Sequence, residues 1–330
     1  MKISMACLRR LPILLFVVCC MVSVKTWGQY GRLFTSDSEL SSSLVNQIYQ
    51  DRKGFIWIAT YNGLDRYDGN NFQTFRVGQR PGLLLSNRVN CVLEDCDGRL
   101  LVGTDKGVVV YDESRNCFSD IPFVRGETAY DKGCHVLSMV LRRNGEVWVS
   151  TSGYGVFCLK PGATKAEGIG LFEGDGFVDY MAEGADGSMW LAVTNYGIYR
   201  WKDGIYHRYL ADEAMLLGSC RLAFDRAGHL FVGAGLGGLF VFNVQKDGFE
   251  RIGQITPPRY EILTLCPLSD GRILIGTNGN GALTYAFGDA ALQPCDYYHP
   301  WANLEKAKIQ HVLEDRDGNI WLGVFQKGVY

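Results

Sequence analysis

Short runs of alternating apolar and polar residues fill this chain, and glycines interrupt them at regular intervals. "SLVNQIYQD" (43–51) alternates as a β-strand should, and Lys53–Gly54 then predicts a tight hairpin. "FIWIAT" (55–60) returns as a second strand, a glycine-containing loop leads into "GLDRYD" (63–68), and "NFQTF" (71–75) reads as a weaker fourth. No helical period is sustained over a useful length. The same phrase returns in "EDCDGRLLVGTDKGVVVY", "RRNGEVWVSTSGYGVFCL", "GADGSMWLAVTNYGIYRW", "FDRAGHLFVGAGLGGLFVF", "LSDGRILIGTNGNGALTY" and "EDRDGNIWLGVFQKGVY". Its first glycine falls at Gly54, Gly98, Gly145, Gly187, Gly228, Gly271 and Gly318, spacings of 41 to 47 residues.

A four-stranded unit of this length cannot bury both of its faces alone, but seven of them stacked around an axis can. The chain is therefore expected to be all-β, a seven-bladed β-propeller of four-stranded antiparallel blades. Trp57, Trp148, Trp190 and Trp321 are expected to wedge the blades together. The seventh phrase runs to Tyr330 in mid-strand, so the last blade is expected to be incomplete at its C-terminal end. "YGRLFTS" (30–36) looks like a strand without a blade and is expected to close the ring there.

The first 28 residues have a different character. Lys2, Arg9 and Arg10 precede the apolar "LPILLFVVCCMVSV" (11–24), and "KTWG" ends in the small residue Gly28. That is the pattern of a secretory signal peptide, too short for a spanning helix, and it leaves 29–330 as the propeller. A net charge of −2 gives no reason to expect nucleic acid or an anionic membrane as partner. Eight cysteines lie beyond the signal (Cys91, Cys96, Cys117, Cys134, Cys158, Cys220, Cys266 and Cys295) without a CxxC pair, and their spacing dictates no bridge.

Motifs that could carry chemistry are few. "EDCDG" (94–98) and "EDRDG" (314–318) lack the oxygen ladder of a calcium loop, and their aspartates are read as hairpin formers. The five histidines have no metal or triad spacing, and "GAGLGG" (233–238) lies between strands with no helix after it. No metal, cofactor or catalytic residue is expected.

Residues 40–69, "LSSSLVNQIYQDRKGFIWIATYNGLDRYDG", resemble the two-component regulator propeller repeat. Leu40, Ser41, Val45, Ile48, Asp51, Gly54, Trp57, Thr60, Gly63, Leu64, Tyr67 and Asp68 match its pattern in place; later units keep the Gly and Trp-Ile/Leu-Gly parts, with Leu101, Phe231 and Leu274 replacing Trp. The resemblance implies the N-terminal periplasmic sensor region of a Bacteroides-type hybrid two-component histidine kinase. It implies an oligosaccharide ligand, a second propeller and an Ig-like domain as partners, and control of polysaccharide-utilisation genes. Homodimerisation is left open, and no kinase lies within these residues. The alternative is a stand-alone exported propeller acting as a carbohydrate-binding or assembly scaffold. An exported propeller enzyme would need a converging acid/base set, and the sequence offers none.

Second-to-third-strand links and blade-to-blade links open on one face of a propeller. Tyr61, Asn62, Arg88, Tyr154, Asn195, Tyr196, Arg221 and Trp301 are the expected ligand contacts there. Asp105–Lys106, Asn278–Asn280, Gln326–Lys327, His135, Tyr180 and Tyr260 share that rim. The aromatics could stack on sugar rings, and their neighbours could hydrogen-bond hydroxyls. Exposed turns also favour Tyr and Asn for no functional reason, and that reading stands beside the first.

Overall fold

The computed structural model describes residues 31–78, 83–130, 134–172, 176–210, 219–235, 238–253, 261–295 and 304–330. The signal segment expected at 1–28 lies outside them.

Residues 31–330 form one unit, a seven-bladed β-propeller. The first strands of the blades are Val45–Gln50, Val89–Glu94, Val136–Leu141, Val178–Glu183, Cys220–Phe224, Ile262–Pro267 and Ile309–Glu314. Each lies beside the next, and Ile309–Glu314 returns to Val45–Gln50, so the ring is closed around a central channel. Second strands such as Ile56–Thr60 and Leu100–Thr104 are buried at every position, whereas Ile205–Tyr209, a fourth strand, is almost wholly exposed.

Strand alternation explains where the core sits. Odd and even residues of a strand face the two neighbouring blades, so seven blades enclose seven apolar layers. Trp57, Ala59 and Leu64 of blade one pack on Val92, Val102 and Val109 of blade two. Ile48, Ile56 and Ile58 turn the other way and meet Phe34 and Val329 at the seam with blade seven. Trp57, Trp148 and Trp190 are buried, and Trp321 packs half-buried against the seam. The glycine of the Trp-x-Gly phrase belongs to the same packing: a Cβ on Gly276 would lie 2.7 Å from the Ile309 carbonyl of the next blade.

The hairpin aspartates do what the sequence suggests. Asp51 Oδ1 accepts from the Lys53 and Phe55 amides, and its Oδ2 accepts from Trp57 Nε1 at 2.7 Å. Asp315 repeats this set with Asp317, Asn319 and Trp321, and Asp95 with Asp97 and Arg99. The last residue of a first strand latches the preceding blade. Glu94 accepts from the Arg52 amide at 2.7 Å, Glu183 from Arg143, Glu314 from Ser269, and Gln50 from Arg316. Replacing Glu94 by alanine leaves the Arg52 amide without this acceptor and is expected to cost about 1–3 kcal/mol, with glutamine recovering most of it. Urea unfolding of the two variants checks this.

Blade three departs from the four-strand expectation. The link from blade two to blade three forms a hairpin, Phe123–Arg125 with Thr128–Tyr130, that pairs parallel to Ala166–Leu171. Blade three is therefore six-stranded. Phe123 is buried against Phe157, which anchors the hairpin, and Gly126 turns it at φ +57°. Blade seven is three-stranded, as expected, with Gly328–Val329 as its third strand, and among the described residues its outer edge is closed by a bridge at Phe34 rather than by a strand over 30–36. The Phe34 amide donates to Val329 O at 2.8 Å, and the Val329 amide donates to Phe34 O at 3.0 Å. Gly328 permits this approach: its φ is +110°, and a Cβ would sit 2.1 Å from the Phe34 oxygen.

Candidate functional site

Every second strand runs toward one face of the ring, and every first strand starts from it. The links there gather most of the residues expected to bind ligand. Tyr61 is 41% exposed, Tyr154 40% and Tyr196 43%, and Phe177 joins them at 40%. The other face is formed by the aspartate hairpins, whose hydrogen bonds are internal.

Three rings on this face, Tyr61, Tyr196 and Phe325, are paired with cations. The Arg88 guanidinium lies 4.8 Å from the Tyr61 ring centre, and Arg208 lies 6.0 Å from Tyr196 while donating to its carbonyl at 2.6 Å. Lys308 sits 4.7 Å over Phe325, and Arg125 donates to the Tyr154 carbonyl. A guanidinium over a ring is held with its N–H edge pointing outward, which suits it to oxygen acceptors of a ligand.

Asn62 and Asn195 lie in exposed loops between second and third strands. Asn195 adopts φ +63°, so the turn geometry alone accounts for asparagine there. Asn62 is fixed by Arg76, which donates to its carbonyl at 2.9 Å, and by a contact with Asn87. Arg221 and Tyr180, expected in blade-to-blade links, belong to first strands instead and line the channel. Arg221 lies 5.6 Å over the Tyr180 ring and donates to Ser219 Oγ and to Cys220 O. Asp179 beside it accepts from Thr194 Oγ1, and burial holds its carboxyl above the ordinary range. Trp301 and Tyr260 lie outside the described residues.

Toward the hairpin side, the first strands of blades three to six line an open cavity of about 370 Å³ with a mixed lining, apolar at Val140, Met181, Leu222 and Leu265 and polar at Arg143 and Glu183. Two residues of the opposite face carried less weight in the sequence than they do here. Asp105 and His135 flank Arg88, and burial with the Arg88 charge holds the His135 imidazole below its usual value, against the pull of Asp105.

Comparison with known proteins fits this architecture. Residues 39–62 and 303–326 match the model of the family "Two component regulator propeller". Both stretches carry that repeat. They lie in blades one and seven, on either side of the Phe34 seam. No curated protein matches the chain.

Among solved structures, the chain is similar to the extracellular domain of BT3049 of B. thetaiotaomicron, described as a hybrid two component system. The TM-score is 0.74 at 20% identity, over 90% of this chain and 41% of that one. The extracellular domain of BT4673 from the same organism, described as a one component system, gives 0.72 at 21%, over 91% and 43%. This chain thus spans about two fifths of the length of either. A catalytically inactive virginiamycin B lyase of Staphylococcus aureus shares the fold as well, with a TM-score of 0.68 at 12% identity over 88% of this chain and 96% of that one. At these identities the likeness shows the propeller fold, which hosts catalysts and binders alike.

Proposed function

We propose that residues 31–330 are the ligand-sensing propeller of an extracytoplasmic two-component sensor, exported by the 1–28 segment, and that the ligand is an oligosaccharide fragment. The observation that carries this reading is the grouping of Tyr61, Tyr154, Phe177 and Tyr196 as half-exposed rings on one face, each of the tyrosines beside an arginine. Such rings offer flat apolar surface to the C–H faces of a sugar, and the neighbouring cations offer donors to its oxygens. The two component regulator propeller repeats and the likeness to extracellular domains of hybrid systems support a sensing role. Binding would be transmitted through partner domains, a second propeller and an Ig-like domain, to genes for polysaccharide use. The mechanism proposed is recognition without bond breaking.

Calorimetry against a library of glycan fragments tests it. Tyr61→Ala, Tyr154→Ala and Tyr196→Ala combined are expected to weaken binding at least about tenfold, since an aromatic contact is worth on the order of 1 kcal/mol. Unchanged affinity in that triple variant would remove the rim from the site, and turnover of any fragment would remove the sensing role.

A further inference from the structure

The outer strands of the blades are protected in different ways, with one exception. Phe75 of blade one and Phe118 and Ile121 of blade two turn into the core. Ala166–Leu171 of blade three is covered by the parallel Phe123–Arg125. In blade five Gly248–Arg251 is half-buried throughout, in blade six the strand is the short Gln293–Pro294, and in blade seven Phe34 bridges the edge. Ile205–Tyr209 of blade four is exposed at every position but the last, with Ile205 at 62% and Tyr206 at 43%. A five-residue edge strand that holds large apolar side chains in solvent is a template for another strand.

The phase of its backbone follows from the turn before it. Asp203 and Gly204, at φ +51° and +81°, form a two-residue hairpin loop between Lys202 and Ile205. The residues flanking such a loop are a hydrogen-bonded pair, and hydrogen-bonded and non-hydrogen-bonded pairs alternate from there. Ile205, His207 and Tyr209 therefore spend their N–H and C=O groups on Lys202, Arg200 and Ile198, and those of Tyr206 and Arg208 point outward. Ile205–Tyr209 ends its sheet, so among the described residues no strand lies beside them.

We infer that this edge pairs with the same edge of a second copy of the chain, antiparallel about a two-fold axis at His207. That register sets Tyr206 of each copy opposite Arg208 of the other, and these are the residues whose backbone groups face outward, so each pair exchanges both N–H···O bonds. A shift by one residue would set outward groups against inward ones. The side chains choose among the registers that remain. Centring the axis on Arg208 brings two guanidinium groups together, and centring it on Tyr206 sets Arg208 against Gly204, without a ring. At His207, the Tyr206 ring falls beside the Arg208 guanidinium, which already lies 5.8 Å from Tyr199 in its own sheet. Ile205 falls opposite Tyr209 on the other face, apolar against aromatic. The two-fold closes the assembly at two copies, because each edge is used by the other. This pairing does not depend on the oligosaccharide reading.

A strand pair buries less than the roughly 1,200 Å² of a stable interface, so association is expected to be weak, and sedimentation equilibrium of the whole chain up to about 500 μM follows it. The expected result is a monomer–dimer equilibrium whose dissociation constant rises at least about tenfold in Tyr206→Pro, which deletes an outward donor from each copy and leaves the inner ladder intact. Val244→Ser, in an exposed turn of blade five, should leave it unchanged. A covalent readout serves whether or not proline is tolerated. In a Cys96→Ser background, since Cys96 is exposed, His207→Cys should give a disulfide-linked dimer with oxidised glutathione. Residues facing each other in a non-hydrogen-bonded pair have Cα atoms about 4.5 Å apart, within disulfide reach. Ile205→Cys should give none, because its two copies lie at least about 13 Å apart. A chain that stays monomeric throughout and does not cross-link through His207→Cys overturns the pairing. So does a dimer that persists in Tyr206→Pro or cross-links as well through Ile205→Cys, since it uses another surface.

Discussion

Replacing Phe34 by alanine is expected to destabilise the propeller by about 3–5 kcal/mol, the range for truncating a buried aromatic. Phe34 is 5% exposed and lies at the one place where the ring is joined by residues far apart in sequence. Its ring meets Phe72 at 5.1 Å and Tyr67 at 5.3 Å from blade one, and stacks on Trp321 of blade seven at 6.1 Å. Removing the ring therefore opens a void between the first and last blades, while the backbone pair with Val329 remains. A seam joins blades whose sequence separation is close to the whole domain, so its contacts offset a large loop-closure entropy. Leu33→Ala, one residue away and 41% exposed, is expected to cost less than about 0.5 kcal/mol. Urea unfolding of the two variants decides it; equal stabilities would mean that the ring closes without Phe34.

That seam was legible in outline from sequence, and the reason is local. The repeat declares itself through residues whose roles are fixed by geometry: Gly54 at φ +94° in its hairpin, Asp51 capping that hairpin, Trp57 accepted by Asp51. An orphan strand-like run at the N-terminus and a blade short of one strand at the other end then point to each other. Sequence overstated the pairing, because Thr35 onward turns: Leu40 N and Glu39 N both donate to Thr35 O. Among the described residues the pairing is the single bridge of Phe34 with Val329.

The rim was less legible. Tyr61, Tyr154 and Tyr196 are where the repeat places them, since a two- to three-residue link between strands leaves its side chains in solvent. Tyr180 and Arg221 were misplaced by only a few residues, but strands begin earlier than the hydrophobic pattern suggests, and a register shift near Val178 and Tyr180 scrambles the alternation there. The hairpin at 123–130 has three-residue strands and a parallel partner more than thirty residues away, so no local signal announces it. Asp105 stands out only through a buried carboxylate oxygen without a partner among the described residues, a property of three dimensions.

Acid is expected to loosen the same seam through His311, and substitution by glutamine is expected to abolish that sensitivity. His311 stands on the first strand of blade seven, and its Nδ1 accepts from the Ile48 amide of blade one at 3.2 Å. Only the neutral imidazole can accept there. Burial, and secondarily the Arg221 charge, hold its pKa down at about 3. In the unfolded chain the same group titrates near 6.5. Between those values the unfolded state binds a proton that the folded state refuses, so stability falls as the pH drops below about 6.5 and stops falling near 3. The full loss would be roughly 5 kcal/mol, a ceiling because the side chain keeps some access to the channel. By pH 4.5 it should reach roughly 2.5 kcal/mol. Blade one shows how to remove the titration and keep the bond: Gln47, the equivalent residue, accepts from the Val92 amide at 2.5 Å through Oε1. His311→Gln should therefore match wild type at pH 7.5 and exceed it at pH 4.5, since other titrating groups, His135 and Asp179 included, contribute alike to both proteins. Unfolding free energies from urea melts at the two pH values give the comparison. Parallel pH profiles for the two proteins would show that His311 is not what makes the closure acid-sensitive.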